Sequence, residues 1–138
     1  MGSHEEYEQA CERIRKTNTQ LLTDFEECLK ASGLAKKTIK NHESNIDFYI
    51  NEFLLYYEAT EAKDGIDSVD QFLGDWFIRK AMWSSVSSVK SYGTSLKKFY
   101  TFMNERNLVS NESVSELKQL IKEEMPEWLS SMEDYGDY

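Results

Sequence analysis

Residues 84–107, SSVSSVKSYGTSLKKFYTFMNERN, decide the fold class. Apolar residues fall at Val86, Val89, Tyr92 with Gly93, Leu96, Phe99 with Tyr100, and Met103. Steps of three and four gather them into one stripe on an α-helix; no strand could collect them on a single face. Ser84-Ser85 precedes the stripe as a cap and Asn107 follows it as a stop. A glycine inside a helix costs about 1 kcal/mol relative to alanine. Gly93 is therefore expected where another helix packs close.

The same pattern extends outward in both directions. Toward the N-terminus, Phe72, Leu73, Trp76 and Phe77 mark a helix over Val69–Ala81, with Ser68 and Gln71 spaced as a capping box. Glu58–Asp67 is polar, contains Gly65 and reads as a loop. Ile39, His42, Ile46, Tyr49 with Ile50, Phe53, and Tyr56 with Tyr57 mark a helix over Lys36–Tyr57. Ser32-Gly33 stops a first helix over Glu5–Ala31, with an interruption expected at Thr17-Asn18-Thr19. Toward the C-terminus, Ser110-Asn111-Glu112 opens a helix over Ser113–Glu124. Pro126 suits a first turn and is expected to start a separate short helix through Met132. Glu133–Tyr138 reads as a loose acidic tail. The expectation is an all-α, compact bundle of four to five helices with a short extra C-terminal helix. Its parts are an N-terminal extension (1–18), a helical domain (19–111) and a C-terminal helical extension with the tail (112–138).

The 138 residues are 40% hydrophobic with one proline and six glycines, enough for one domain with a core of its own. No apolar run reaches the roughly 18 residues of a membrane span. The N-terminus is polar and acidic, unlike a leader, so the expected location is the cytoplasm with no membrane partner. Met1-Gly2-Ser3-His4 reads as an expression remnant, and Met125–Tyr138 as a chain end. Cys11 and Cys28 fit neither a CxxC pair nor a zinc site and read as free thiols. Two histidines, His4 and His42, cannot build a metal centre, and His42 reads as a core or boundary residue. No phosphate-binding glycine loop or HExxH occurs. No cofactor, small-molecule substrate or catalytic activity is expected.

Charge is unevenly distributed. The chain carries −9, yet residues 1–29 hold −4, residues 30–106 hold +1 and residues 107–138 hold −6. Between Asp75 and Glu105 stand Arg79, Lys80, Lys90, Lys97 and Lys98 with no acid. Cys28–His42 likewise holds Lys30, Lys36, Lys37 and Lys40. A polyanion responds to such local patches rather than to the average, although solvated helix faces are the plainer explanation of charge runs. Trp76, Phe77 and Trp83 flank Arg79 and Lys80. Aromatic groups beside cations can stack on bases, but at helical spacing they more often fill a core.

Three pieces share an order and spacing with a known family. The first is Phe25-x3-Leu29-x3-Gly33-Leu34-x2-Lys37-Thr38-Ile39, followed by His42, Ile46 and Tyr49. The second is Ile66-x2-Val69-x2-Phe72-Leu73. The third is Val89-x6-Leu96-x2-Phe99-Tyr100-x-Phe102-Met103-x3-Asn107-Leu108-Val109. Together, from Leu21 to about Asn111, they resemble the N-terminal core-binding (SAM-like) domain of the phage-integrase tyrosine recombinases. Ala35 departs from the family's capping serine and His42 from its tyrosine. The resemblance implies a small helical bundle that clamps one side of a DNA duplex, with its second and fourth helices nearest the DNA. Those helices carry the two acid-free windows here. It therefore implies phosphate contacts from Lys36, Lys37, Thr38 and Lys40 on one, and from Ser87, Lys90, Thr94, Lys97 and Lys98 on the other. The recombinase's catalytic cluster has no counterpart: Arg13, Arg15, Arg79 and Arg106 form no Arg-x2-His or His-x2-Arg pattern, and Tyr135 and Tyr138 have no electrophilic neighbours. The expected function is non-catalytic duplex DNA binding. The alternative is a protein-interaction module on the same fold, contacting its partner through Trp128 and the acidic C-terminal helix. Trp128, with Met125, Leu129 and Met132, would either dock on that partner or close the open end of the bundle.

Overall fold

A computed structural model describes residues 2–135 as five helical stretches, with no strand among the described residues. The chain divides between Gly65 and Ile66 into two compact units.

In the first unit, α1 (Ser3–Ala31) runs without the expected interruption. The Thr17, Thr19 and Thr23 hydroxyls donate to the carbonyls four residues back, which lets these polar side chains stay on a continuous helix. Asn18, expected to help break the helix, is 1% exposed instead. Its Nδ2 donates to the Ile50 carbonyl at 3.3 Å and to Asn51 Oδ1 at 2.8 Å. The stop at Gly33 is as read: φ is +79°. The Gly33 and Leu34 amides donate to Lys30 and Leu29, closing a Schellman cap.

The second helix, α2 (Lys36–Asp47), passes into a π turn over Phe48–Phe53, where the Leu54 amide reaches back five residues to Tyr49. The wider turn rotates the stripe, so Tyr49, Ile50, Phe53 and Leu54 are all buried. The helix ends there rather than at Tyr57. Tyr56 and Tyr57 consequently leave the stripe and lie exposed. The Tyr49 hydroxyl donates to the Gly65 carbonyl at 2.6 Å. That bond fastens a 3-10 turn over Ala62–Ser68, where the polar composition had suggested only a loop. Near the N-terminus, Cys11, Ile14 and Leu55 form a small buried cluster covered by Tyr7 and Ala59. Cys11 and Cys28 are free thiols, the former buried and the latter half-buried. His42 is buried, as a core position requires.

The second unit opens with α3 (Val69–Gln71), a π turn over Phe72–Trp76 and α4 (Phe77–Lys80), which together form one helical stretch. Here too the five-residue step, Phe77 amide to Phe72 carbonyl, keeps Phe72, Leu73, Trp76, Phe77 and Ile78 all buried. Ser68 makes no cap bond. Its backbone (φ −105°, ψ 2°) is already turning out of the 3-10 segment and not extended as a cap must be. Ala81 is extended and ends the stretch one residue early.

The amphipathic helix α5 (Val86–Glu105) follows, and its capping box is real. Ser85 Oγ accepts the Ser88 amide and Ser88 Oγ accepts the Ser85 amide, with serine in the place usually held by glutamate. Asn107 adopts φ +62° and closes a second Schellman cap through the amides of Asn107 and Leu108.

The last helix, α6 (Asn111–Tyr135), corrects two expectations. Pro126 does not start a new helix but lies inside this one. A proline there gives up one backbone bond and costs about 3 kcal/mol. The stripe Val114, Leu117, Ile121, Trp128, Met132 continues across it, all buried, and that burial outweighs the local cost. The helix also takes in Glu133–Tyr135 of the expected loose tail; residues 136–138 of that tail lie outside the described residues. Two glycines set how closely α6 approaches its neighbours. A Cβ on Gly93 would stand 2.7 Å from Met125 Cε and 3.6 Å from Ile121 Cγ2. A Cβ on Gly74 would stand 2.9 Å from Trp128 Nε1.

Candidate nucleic-acid interface

The phosphate-contacting residues read from the sequence divide between the two units. On α5, Ser87, Lys90, Thr94 and Lys98 are exposed and Lys97 is half-buried. At 100° per residue the five fall within about 100° of arc, on one face of the helix. The opposite side is core: Val89, Tyr92, Leu96, Phe99, Tyr100 and Met103. Burial of that apolar side fixes the rotation of α5 and so presents the lysines to solvent. No carboxylate among the described residues pairs with Lys90, Lys97 or Lys98. The Thr94 hydroxyl donates to the Lys90 carbonyl at 3.2 Å, so this side chain offers an anion a donor only by giving up that bond.

On α2, Lys36, Lys37, Thr38 and Lys40 are all exposed, but the structure does not gather them on one face. Thr38 lies about 160° around the helix from Lys40. Ala35, the residue before the helix, supplies no side-chain cap, which leaves the first amides open to solvent or an anion. Acids share the lysine face. Lys40 lines a shallow depression of about 490 Å³ together with Leu22, Asn41, Glu43, Ser44 and Asp47.

Glu43 has a second relationship, with α1. Its carboxyl is hydrogen-bonded to Glu26, and its Oε1 is buried with no partner. Burial first, and then the hydrogen bond and charge of Glu26, push Glu43 up to about 7, while Lys30 and Lys40 pull the other way. Glu26 moves down, held by its bond to Glu43 and by Lys30, whose Nζ lies 3.1 Å from Glu26 Oε1. Lys30 is therefore an ion-pair partner. Arg79 is likewise occupied, by two bonds of 2.8 and 2.9 Å to Asp75, which hold the Asp75 carboxyl below its usual range. Both pairs are four residues apart on a helix, a spacing visible in the sequence.

Trp128 points into the second unit. It is 2% exposed, lies against Gly74 and donates Nε1 to Asp70 Oδ1 at 3.1 Å. Of the two roles left open for it, packing within its own unit is the one observed. Trp76 and Phe77 are core as well, but Trp83 is 54% exposed. Trp83 and Met82 stand outside every apolar stripe, directly before the Ser84-Ser85 cap, and that position was the signal in the sequence. Among the described residues no cluster of His, Cys, Asp and Glu is placed to hold a metal ion. No helix among them is long and apolar enough to cross a membrane.

No protein family, curated protein or solved structure matches the chain.

Proposed function

We propose that the chain is a non-catalytic, cytoplasmic DNA-binding module of the core-binding type, gripping duplex DNA through phosphate contacts from α5. One observation carries the reading: an exposed lysine face on α5, free of acids from Val86 to Asn104, in a chain whose net charge is −9. Unpaired lysines on an acidic protein have no internal use, and a phosphate backbone is the polyanion whose charges repeat along such a face. Lys90 and Lys98 are the main contacts, with Ser87 and Lys97 beside them. On the first unit, Lys36 and Lys37 of α2 are a separate source of positive charge, whereas Lys40 lies near enough to the Glu26 carboxylate to help hold it down. The alternative, a protein-interaction module, loses Trp128 as its anchor and would have to use the exposed acids of α6.

Fluorescence anisotropy with a labelled 25-base-pair duplex tests the proposal. Three phosphate contacts give a slope of about −2.7 in log K against log salt, or a loss on the order of 10²-fold between 20 and 150 mM. Lys90→Glu with Lys98→Glu should abolish binding at both concentrations while leaving the circular dichroism spectrum unchanged. Absence of binding at 20 mM salt, or binding indifferent to the double substitution, refutes it.

A further inference from the structure

The turn between α4 and α5 displays two large, largely exposed apolar side chains. Met82 is 98% exposed and Trp83 is 54% exposed. The turn is held on both sides. The Ser84 amide donates to the Ala81 carbonyl at 3.2 Å, the Ser84 hydroxyl to the Ile78 carbonyl at 3.2 Å, and Ser85 is locked into its capping box. The Trp83 ring meets Phe77 edge-on, with centroids 6.3 Å apart and planes at 73°. Its orientation is thus set by the core while more than half of the residue remains open. The other two tryptophans, Trp76 and Trp128, are buried. Single exposed apolar residues are ordinary, but an adjacent pair on a fastened turn asks for an occupant. The surroundings say which kind. Residues 76–104 contain no carboxylate; they hold Lys80, Lys90, Lys97 and Lys98 besides Arg79, which is paired with Asp75, and exposed Ser85 and Ser87 follow the turn directly. A flat aromatic face beside cations and hydroxyls matches a nucleobase next to its phosphate.

We propose that Met82 and Trp83 form a knuckle that stacks on unpaired nucleobases, so that single-stranded or locally opened DNA is held by base stacking in addition to the phosphate contacts of α5. The inference rests on the DNA-binding reading above and specifies the form of DNA that the same face takes.

The test uses the full chain, a twelve-nucleotide oligothymidylate and an abasic oligonucleotide of equal length. Because Trp83 is the tryptophan open to solvent, oligothymidylate should quench its emission on binding. The abasic strand keeps every phosphate and should bind roughly ten- to a hundredfold more weakly, the worth of one or two stacked bases. Trp83→Ala should erase the difference between the strands, and Trp83→Phe should retain most of it. Met82→Ala removes no packing and should weaken oligothymidylate binding without altering the melting temperature. Equal binding of the two strands, still lost in Lys90→Glu/Lys98→Glu, overturns the knuckle and leaves the phosphate reading standing. Failure of duplex and single strands alike overturns both. Quenching by anionic phospholipid vesicles, with none by oligothymidylate, overturns the knuckle in favour of a lipid surface.

Discussion

Glu43 shows how one side chain can set the acid response of a unit. Folded, it keeps its proton up to about pH 7; unfolded, it releases it near the ordinary value of 4.5. Between those values the folded chain holds the extra proton. Its contribution to stability is therefore complete below about pH 4.5 and is lost as pH rises through 7. Glu26 is shifted the other way, and its contribution is lost as pH falls. Glu43→Gln mimics the protonated partner at every pH: it can still donate to Glu26 and carries no charge to bury. The variant should melt about 2–4 °C above the parent at pH 8 and within 1 °C of it at pH 4.5, a shift expected from roughly 1 kcal/mol. Melting curves followed by circular dichroism at the two pH values check this. An equal shift at both would show that the pair does not titrate in this window. None of this was legible in the sequence, where Glu26 and Glu43 are 17 residues apart and only the fold joins them.

At the scale of the element, the stripes of three- and four-residue spacing located the α-helical stretches but not the 3-10 turn over Ala62–Ser68, because burial of one apolar face decides whether a helix persists. The errors came where a local rule competed with that burial. Pro126 carries a start signal, but Trp128 and Met132 extend the stripe of α6 past it. Thr17, Asn18 and Thr19 carry a break signal, but the two threonines satisfy themselves on their own helix and Asn18 finds Ile50 and Asn51. The π turns leave no mark in the pattern, since they appear only as neighbouring apolar pairs such as Tyr49-Ile50 and Phe72-Leu73. The lysine face of α5 was legible for the same reason as its stripe: once one side is buried, the other is given. The α2 patch was legible in composition, but its acid neighbour Glu26 on α1, which only the fold brings to Glu43, was not. Both close contacts of α6 involve a glycine, and they should respond differently to a methyl group. At Gly93 the obstacle is the flexible end of Met125, and alanine also raises helix propensity by about 1 kcal/mol. Gly93→Ala should lie within about 1 kcal/mol of the parent. At Gly74 the obstacle is the indole of Trp128, buried and bonded to Asp70, so Gly74→Ala should cost about 1–3 kcal/mol. Denaturant midpoints of the two variants measure the contrast, and equal midpoints would contradict it.

For the whole molecule the governing quantity is the charge split. A DNA ligand meets an attractive α5 face on a chain whose last 32 residues carry −6. Removing residues 124–138 to relieve that repulsion would also remove Trp128 and Met132 from the core, so loss of binding there would report unfolding. Glu133 and Asp134 are exposed and offer a cleaner lever. Glu133→Lys with Asp134→Lys takes the net charge from −9 to −5. On the DNA-binding reading it should raise duplex affinity several-fold at 20 mM salt, by an amount that shrinks at 150 mM as the Debye length shortens to about 8 Å. Anisotropy titrations at the two salts decide it; unchanged affinity would mean that the acidic end does not compete.

The two thiols of α1 turn that helix into its own timer. Cys28 is half-buried, while Cys11 is enclosed by Ile14, Leu55, Tyr7 and Ala59. Reagents that modify thiols reach Cys28 without waiting, but reach Cys11 only when the N-terminal half of α1 lifts from Leu55. The ratio of the two labelling rates on a single sample is thus a direct count of how often that half of the helix opens.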